Sequence, residues 1–113
     1  MPDLENASPG ELVMMLYDRA VRDLRKAFNL LSENGSQEHA THLIVHAQQI
    51  IAELKHSLNL QEGGELAENL SRLYEYMQFR LTEAVSEKDA VPVSEVISLM
   101  QELHDAWKTM LQD

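Results

Sequence analysis

The feature that most constrains this chain is a helical spacing of apolar residues in four segments. Glycine and proline, which are few, fall at the ends of those segments. Pro9-Gly10 begins the first segment, Gly35 follows it, Gly63-Gly64 divides the middle of the chain, and Pro92 begins the last segment. Such residues are typical of helix ends and turns. Because no stretch alternates with a period of two for long enough to predict a strand, the sequence indicates four helices.

The ends of the predicted helices carry capping signals. Ser8 and Glu11 form the S-x-x-E pattern of a capping box, Ser36 stands where it would cap the second helix, and Asn34-Gly35 indicates a left-handed stop between them. Short connections place successive helices antiparallel. We therefore predict an all-α fold, an antiparallel up-down-up-down four-helix bundle formed by residues 8–113 after a short flexible arm at 1–7, with helices at about 9–33, 37–59, 64–86 and 93–111.

Composition excludes several classes of protein. The chain has 113 residues and no cysteine, which excludes a disulfide scaffold and any cysteine-ligated metal site. Its net charge of −10 disfavours nucleic-acid binding and an anionic membrane surface. No apolar run approaches the roughly 18 residues of a membrane span, and residues 1–6 lack the features of a secretory signal. These features predict a soluble cytoplasmic domain without membrane insertion.

A metal-binding bundle is an alternative that the sequence supports weakly. A di-iron bundle needs two inward Glu-x-x-His motifs, and this chain has one, from Glu53 to His56. His42 and His46 have the spacing of a helical metal-ligand pair, but both fall away from the centre of the apolar stripe. The prediction is therefore no metal and no cofactor.

The sequence gives no sign of an enzyme. It has no glycine-rich phosphate loop, and no nucleophile has a visible partner. Four basic residues lie close together on the first predicted helix, Arg19, Arg22, Arg25 and Lys26. Because Asp18 precedes Arg22 by four residues, an ion pair is expected there and the cluster is interpreted as a solvated face.

Some apolar residues lie outside the stripes that would face a core. On the first helix Met14, Met15 and Val21 flank the stripe, and on the third helix Tyr76 and Phe79 lie off it. By helical geometry Phe79 points almost directly away from the core. Single exposed apolar residues are normal, but together these five indicate an apolar surface left for a partner.

Two segments carry a family resemblance, residues 8–18 (SPGELVMMLYD) and residues 63–77 (GGELAENLSRLYEYM). They resemble the signature segments of the FliS family of flagellar secretion chaperones. Residues 50–58 and the Glu102-Leu103 and Ala106-Trp107 pairs resemble that family in the same order, so the similarity covers about residues 7–111. Family members usually begin with a longer arm containing an aromatic residue, whereas seven residues precede Ser8 here.

The resemblance implies a cytoplasmic chaperone that works without ATP. Such a protein binds the disordered C-terminal segment of flagellin, prevents premature polymerisation and delivers the subunit to the flagellar type III export gate, itself a further expected partner. A monomer or weak dimer is expected. The metal-binding bundle and a generic helical protein-interaction module remain alternative functions.

The apolar surplus and the family motifs together suggest the residues of a flagellin-binding groove. Asn69 is a candidate either for hydrogen bonding to the bound backbone or for a structural bond near the Gly63-Gly64 turn. Leu16, Leu70, Leu73 and Trp107 are expected in the core. The groove hypothesis joins two helices, with Met14, Met15, Tyr17 and Val21 on the first and Asn69, Tyr74, Tyr76, Met77 and Phe79 on the third.

Overall fold

A computed structural model describes residues 8–58 and 60–112 of the chain. Within those residues it contains four helices and no strand: α1 (Pro9–Ser32), α2 (Gln37–His56), α3 (Leu60–Glu87) and α4 (Ala90–Gln112). They form the predicted antiparallel four-helix bundle. The predicted arm at 1–7 and residue 59, the predicted end of the second helix, lie outside the described residues.

The first two helices begin at the predicted caps. The hydroxyl of Ser8 accepts a hydrogen bond from the backbone N–H of Glu11 at 3.2 Å. The hydroxyl of Ser36 accepts one from the N–H of His39 at 3.1 Å. Each hydroxyl satisfies a donor that the first helical turn leaves without a backbone partner.

Helices α1 and α3 end in the same way. After α1, Asn34 adopts a left-handed conformation (φ 55°), and the N–H of Gly35 donates to the carbonyl of Leu30 at 2.7 Å. After α3, Lys88 has the same φ of 55° and an equivalent bond of 3.1 Å closes the helix. This bond, with a left-handed residue just before its donor, is the Schellman arrangement, which reverses the chain sharply.

The beginning of α3 differs from the prediction. Helical structure starts at Leu60, four residues before the predicted start, and is interrupted at Gly64. Gly64 has φ 58° and ψ −137°, a conformation that is essentially restricted to glycine. The Gly63-Gly64 pair thus marks a kink inside α3, whereas the sequence predicts a turn before the helix begins.

Helix α4 also begins earlier than predicted, at Ala90 instead of residue 93. The carboxylate of Asp89 accepts a hydrogen bond from the N–H of Val91 at 2.9 Å, so Asp89 acts as the cap. Pro92 lies in the first turn, where a backbone N–H is not required. The predicted connection between residues 86 and 93 therefore shrinks to the two residues between α3 and α4.

The helices pack as a ring in which α1 contacts α2 and α4, and α3 contacts the same two helices. Helices α1 and α3 therefore face each other across the bundle axis. The core that separates them is built from alanines and larger apolar side chains, and the largest that are fully buried include Tyr17, Tyr74, Met77, Leu81 and Met100.

None of the described helices combines the length and the apolar character that a membrane span requires.

Candidate functional site

The structure places the nine residues of the predicted groove at different depths. Tyr17 and Val21 of α1 and Tyr74 and Met77 of α3 are buried, with exposed fractions of at most 7%. They form part of the core between the helices, and of the four only Tyr74 and Val21 reach the lining of a cleft. The helical arithmetic placed Val21 outside the stripe because it assumed one buried face, whereas α1 packs against two neighbouring helices.

The other five predicted residues lie on two separate surfaces. Met14 and Met15 are half-buried on α1, whereas Asn69, Tyr76 and Phe79 are exposed on α3. Because α1 and α3 lie on opposite sides of the bundle axis, their outer faces point in opposite directions. The nine residues therefore do not form one groove.

Phe79 faces solvent, as its helical position predicts. Its side chain is 62% exposed in the middle of α3. Asn69 lies nearer the start of the same helix. Its side-chain oxygen accepts a hydrogen bond from Arg72 at 3.3 Å. The bond from Asn69 to the glycine turn, one of its two predicted roles, is absent from the described contacts of this residue.

Tyr76 is exposed but its hydroxyl is already engaged. It donates to the carboxylate of Glu95 on α4, at 2.9 and 3.0 Å from the two oxygens. Arg80 donates to the same carboxylate at 2.7 Å and to Glu83 at 2.9 Å. The bonds from Arg80 and then Tyr76 lower the pKa of Glu95, and the bond to Glu95 raises the pKa of Tyr76. This network joins α3 to α4 and leaves the ring of Tyr76 as its free surface.

Inside the bundle, the hydroxyls of Tyr17 and Tyr74 hydrogen-bond to each other. Burial raises the pKa of Tyr17, and hydrogen bonds with Tyr74 and Trp107 offset part of that rise. Burial also raises the pKa of Tyr74, and the bond with Tyr17 raises it further.

Directly beside this pair, an apolar cleft opens at one end of the bundle. It lies where the start of α1, the end of α2, the start of α3 and the end of α4 meet, and it holds about 400 Å³. We call it the end cleft. Leu66 at its edge is 62% exposed. The side chains that line it come from all four helices and their connections, and those used below are Val13, Leu54, Leu58, Leu66, Leu70, Tyr74 and Trp107.

The end cleft suits apolar side chains of another polypeptide. Its lining is aliphatic and aromatic, and an open apolar concavity is the feature that most often marks a binding site. The lining includes Leu70 and Trp107, which were expected in the core and are half-buried. Of the nine residues predicted for the groove, Tyr74 is the one that lines this cleft.

The end cleft could have been found from one signal in the sequence. The apolar stripes of α1 and α3 continue to the helix ends that meet here, with Val13 and Leu66 close to those ends. In an antiparallel bundle the starts of α1 and α3 lie at the same end of the bundle. Apolar residues in the terminal turns are not covered there by a further helix. Treating each helix separately hid this relationship.

The candidate metal residues do not converge. Glu53 and His56 are exposed at the end of α2, and His46 hydrogen-bonds to Asp23 of α1. His42 is also exposed. Among the described residues, no three side chains of the metal-binding types lie close enough together to hold an ion.

Sequence comparison with known proteins identifies one family. The family model of the flagellar protein FliS matches residues 2–113. The chain is 34% identical over 109 residues to the flagellar secretion chaperone FliS of Bacillus subtilis, covering 96% of this chain and 80% of that protein. It is 39% identical over 104 residues to the FliS of Salmonella typhimurium, covering 91% and 76% of the two chains.

The fold is similar to a crystal structure of a bacterial flagellar chaperone, with a TM-score of 0.85. The superposition covers 99% of this chain and 90% of the other at 20% identity, so it supports the bundle architecture independently of close sequence similarity.

Proposed function

Because this chain belongs to the FliS family of flagellar secretion chaperones, we propose that it binds the disordered C-terminal segment of flagellin. In this role it acts in the cytoplasm, keeps flagellin subunits from polymerising early and delivers them to the flagellar type III export apparatus. The open end cleft beside the Tyr17–Tyr74 pair is the observation on which the proposal rests.

The end cleft fits the needs of a client that is unfolded before it binds. Such a segment gains affinity by inserting a few apolar side chains into preformed concavities, and part of the gain is offset by the entropy of ordering the segment. The lining offers aliphatic side chains from three helices and one tryptophan. A cleft of this size accepts one or two large apolar side chains, so the remaining contacts of the client must come from other surfaces.

The outer face of α3 is the second surface in this proposal. Phe79 and the ring of Tyr76 are exposed there, and the side-chain network with Glu95 holds Tyr76 in place. Asn69 stands on the same helix and supplies amide donors for an extended backbone. A segment that occupies both surfaces has to wrap around the bundle. Met14 and Met15 lie on α1, across the bundle axis from α3, so a different part of the segment contacts them.

Calorimetric titration with the C-terminal segment of the flagellin from the same organism tests the proposal. We expect a one-to-one complex with a negative heat-capacity change, the sign of apolar burial and coupled folding. Leu66→Glu places a charge at the edge of the end cleft, where it must be desolvated on binding, and should weaken binding about tenfold or more.

Val91→Glu is the matched control for this experiment. Val91 is 64% exposed, close to the 62% of Leu66, and lies at the start of α4, at the opposite end of the bundle. Both substitutions change the net charge equally and leave the core intact. Equal losses of affinity in the two variants would contradict a role for the end cleft. If titration of the wild-type protein with the flagellin segment releases or absorbs no binding heat, flagellin binding itself is contradicted.

The proposed role requires only binding, and it sets expectations for the contact with the export gate and for the oligomeric state. The chain acts as a holding protein without a catalytic step, and its contact with the export gate is made by the loaded complex. A monomer is expected when the client is bound. An empty end cleft favours weak self-association, because exposed apolar concavities attract one another in the absence of client.

A further inference from the structure

A cluster of basic residues on α1 stands out against the acidic character of the whole chain. The protein has a net charge of −10 and nine lysine and arginine residues, and four of those nine lie between positions 19 and 26. Arg19, Arg22, Arg25 and Lys26 are all exposed. A local positive region of this kind generates a field opposite in sign to that of the rest of the surface.

These four side chains form no ion pair with a carboxylate in the described part of the chain. Elsewhere, by contrast, Lys55 pairs with Glu75 at 2.8 Å and Arg80 pairs with Glu95 at 2.7 Å. The predicted pair between Asp18 and Arg22 is not formed. Asp18 instead pairs with Nε2 of His104 on α4 at 3.0 Å.

Three of the four basic residues border a cleft between α1 and α4, and we call it the basic cleft. Arg22, Arg25 and Lys26 line it, together with the Asp18–His104 pair, and its volume is about 480 Å³. The amide side chains of Asn29 and Gln101 add neutral hydrogen-bond donors. The buried side chain of Val21 also reaches the lining. The cleft therefore combines unpaired cations, amide donors and a small apolar floor.

We propose that the basic cleft binds an acidic segment of a partner protein. Guanidinium groups recognise carboxylates with two parallel hydrogen bonds, and Arg22 and Arg25 stand about one helical turn apart on the same side of α1. A short acidic segment that carries one apolar residue matches the lining, since that residue can rest on Val21. Charge complementarity favours an acidic partner, because the cations of the cleft form no ion pair within the described residues.

A nucleic acid is the less suitable polyanion. Its charge continues beyond the cleft on both sides, where it would meet the acidic remainder of this surface, and affinity for nucleic acid depends on neutralising many phosphates in a row. An acidic peptide segment ends where the basic residues end. This inference is independent of flagellin binding, since the basic cleft shares no lining residue with the end cleft.

Fluorescence anisotropy with a labelled peptide of glutamate and leucine tests the inference on the full chain. The test variant is Arg22→Gln combined with Arg25→Gln, and the control variant is Arg72→Gln combined with Lys88→Gln. Both variants lower the positive charge by the same amount, so long-range electrostatics change equally. We expect the test variant to bind on the order of tenfold more weakly, whereas the control should change affinity less than about twofold.

Binding should also weaken as salt is added, because the contacts are ionic and solvent-exposed. A circular-dichroism melt of both variants checks that the fold is retained. Equal losses in the test and control variants, or no binding by the wild-type protein, would overturn the proposal. So would equal binding of a glutamine-and-leucine peptide, tighter binding of a single-stranded oligonucleotide, or a salt-sensitive dimer of this chain that the test variant abolishes.

Discussion

The hydroxyl groups of Tyr17 and Tyr74 hydrogen-bond to each other inside the bundle and connect α1 to α3, which do not pack side by side. Both side chains are almost completely buried. The pair lies directly under the end cleft, since Tyr74 also lines it. The hydrogen bond therefore links α1 and α3 next to the cleft.

Removal of both hydroxyls should cost less than the sum of the two single removals. In Tyr17→Phe the buried hydroxyl of Tyr74 loses its partner, which should lower the free energy of unfolding by about 1–3 kcal/mol. The variant with both tyrosines replaced by phenylalanine leaves neither hydroxyl stranded and should lose less than the sum of the single changes. Urea denaturation of the four proteins measures this coupling, and additive losses would show that the hydroxyls act independently.

The same pair predicts a loss of stability in alkali. The pKa values of Tyr17 and Tyr74 are raised in the folded protein, chiefly by burial, so the unfolded chain releases these protons first. The stabilisation they provide is complete below the unfolded value of about 10 and is lost as pH rises above it. Urea midpoints measured from neutral to alkaline pH should fall less steeply in the double phenylalanine variant. An identical slope in both proteins would assign the loss to other groups.

Gly64 should resist replacement although it has free space around it. A Cβ atom at this position would meet no atom within 4 Å, but the residue has φ 58° and ψ −137°. The cost of Gly64→Ala is therefore conformational and should amount to about 1–3 kcal/mol. Thermal denaturation measures it, with Ser71→Ala on the regular part of α3 as the comparison. A neutral Gly64→Ala would mean that the kink straightens in solution.

At Lys88, by contrast, replacement by glycine should stabilise the protein. Lys88 has φ 55° at the end of α3, where a residue with a Cβ atom is strained and glycine is preferred. Lys88→Gly should raise the free energy of unfolding by about 0.5–1 kcal/mol. Lys88→Ala removes the same charge and keeps the Cβ atom, so it should bring no comparable gain. If both variants gain equally, charge is the cause and backbone strain is not.

The fold followed from the sequence because its signals are local. The caps at Ser8 and Ser36 and the stop at Asn34 depend on residues within one helical turn, and the structure has all three. The starts of α3 and α4 were placed late for the same reason. In the sequence Gly64 marks the predicted start of a helix, although it is a kink in the structure, and Asp89 falls in the predicted connection, although its carboxylate caps α4.

The candidate site was harder to predict because it depends on which helices are neighbours. Phe79 was placed correctly, since its exposure follows from its angle on a single helix. Tyr17 and Met77 were assigned to a groove that would have required α1 and α3 to lie side by side, whereas they face each other across the core. The end cleft is formed where the ends of all four helices meet, and the apolar stripe of a single helix does not show this unless the stripes of different helices are compared.

Phe79 provides the sharpest separation of binding from folding. Its side chain is 62% exposed, whereas Leu81 on the same helix is fully buried. Phe79→Ala should change the free energy of unfolding by less than about 0.5 kcal/mol, and Leu81→Ala should lower it by about 2–5 kcal/mol. Titration of the Phe79 variant with the flagellin segment then tests the outer face of α3 alone. A loss of affinity at unchanged stability assigns the client to that face as well as to the end cleft, whereas unchanged affinity would restrict the client to the end cleft.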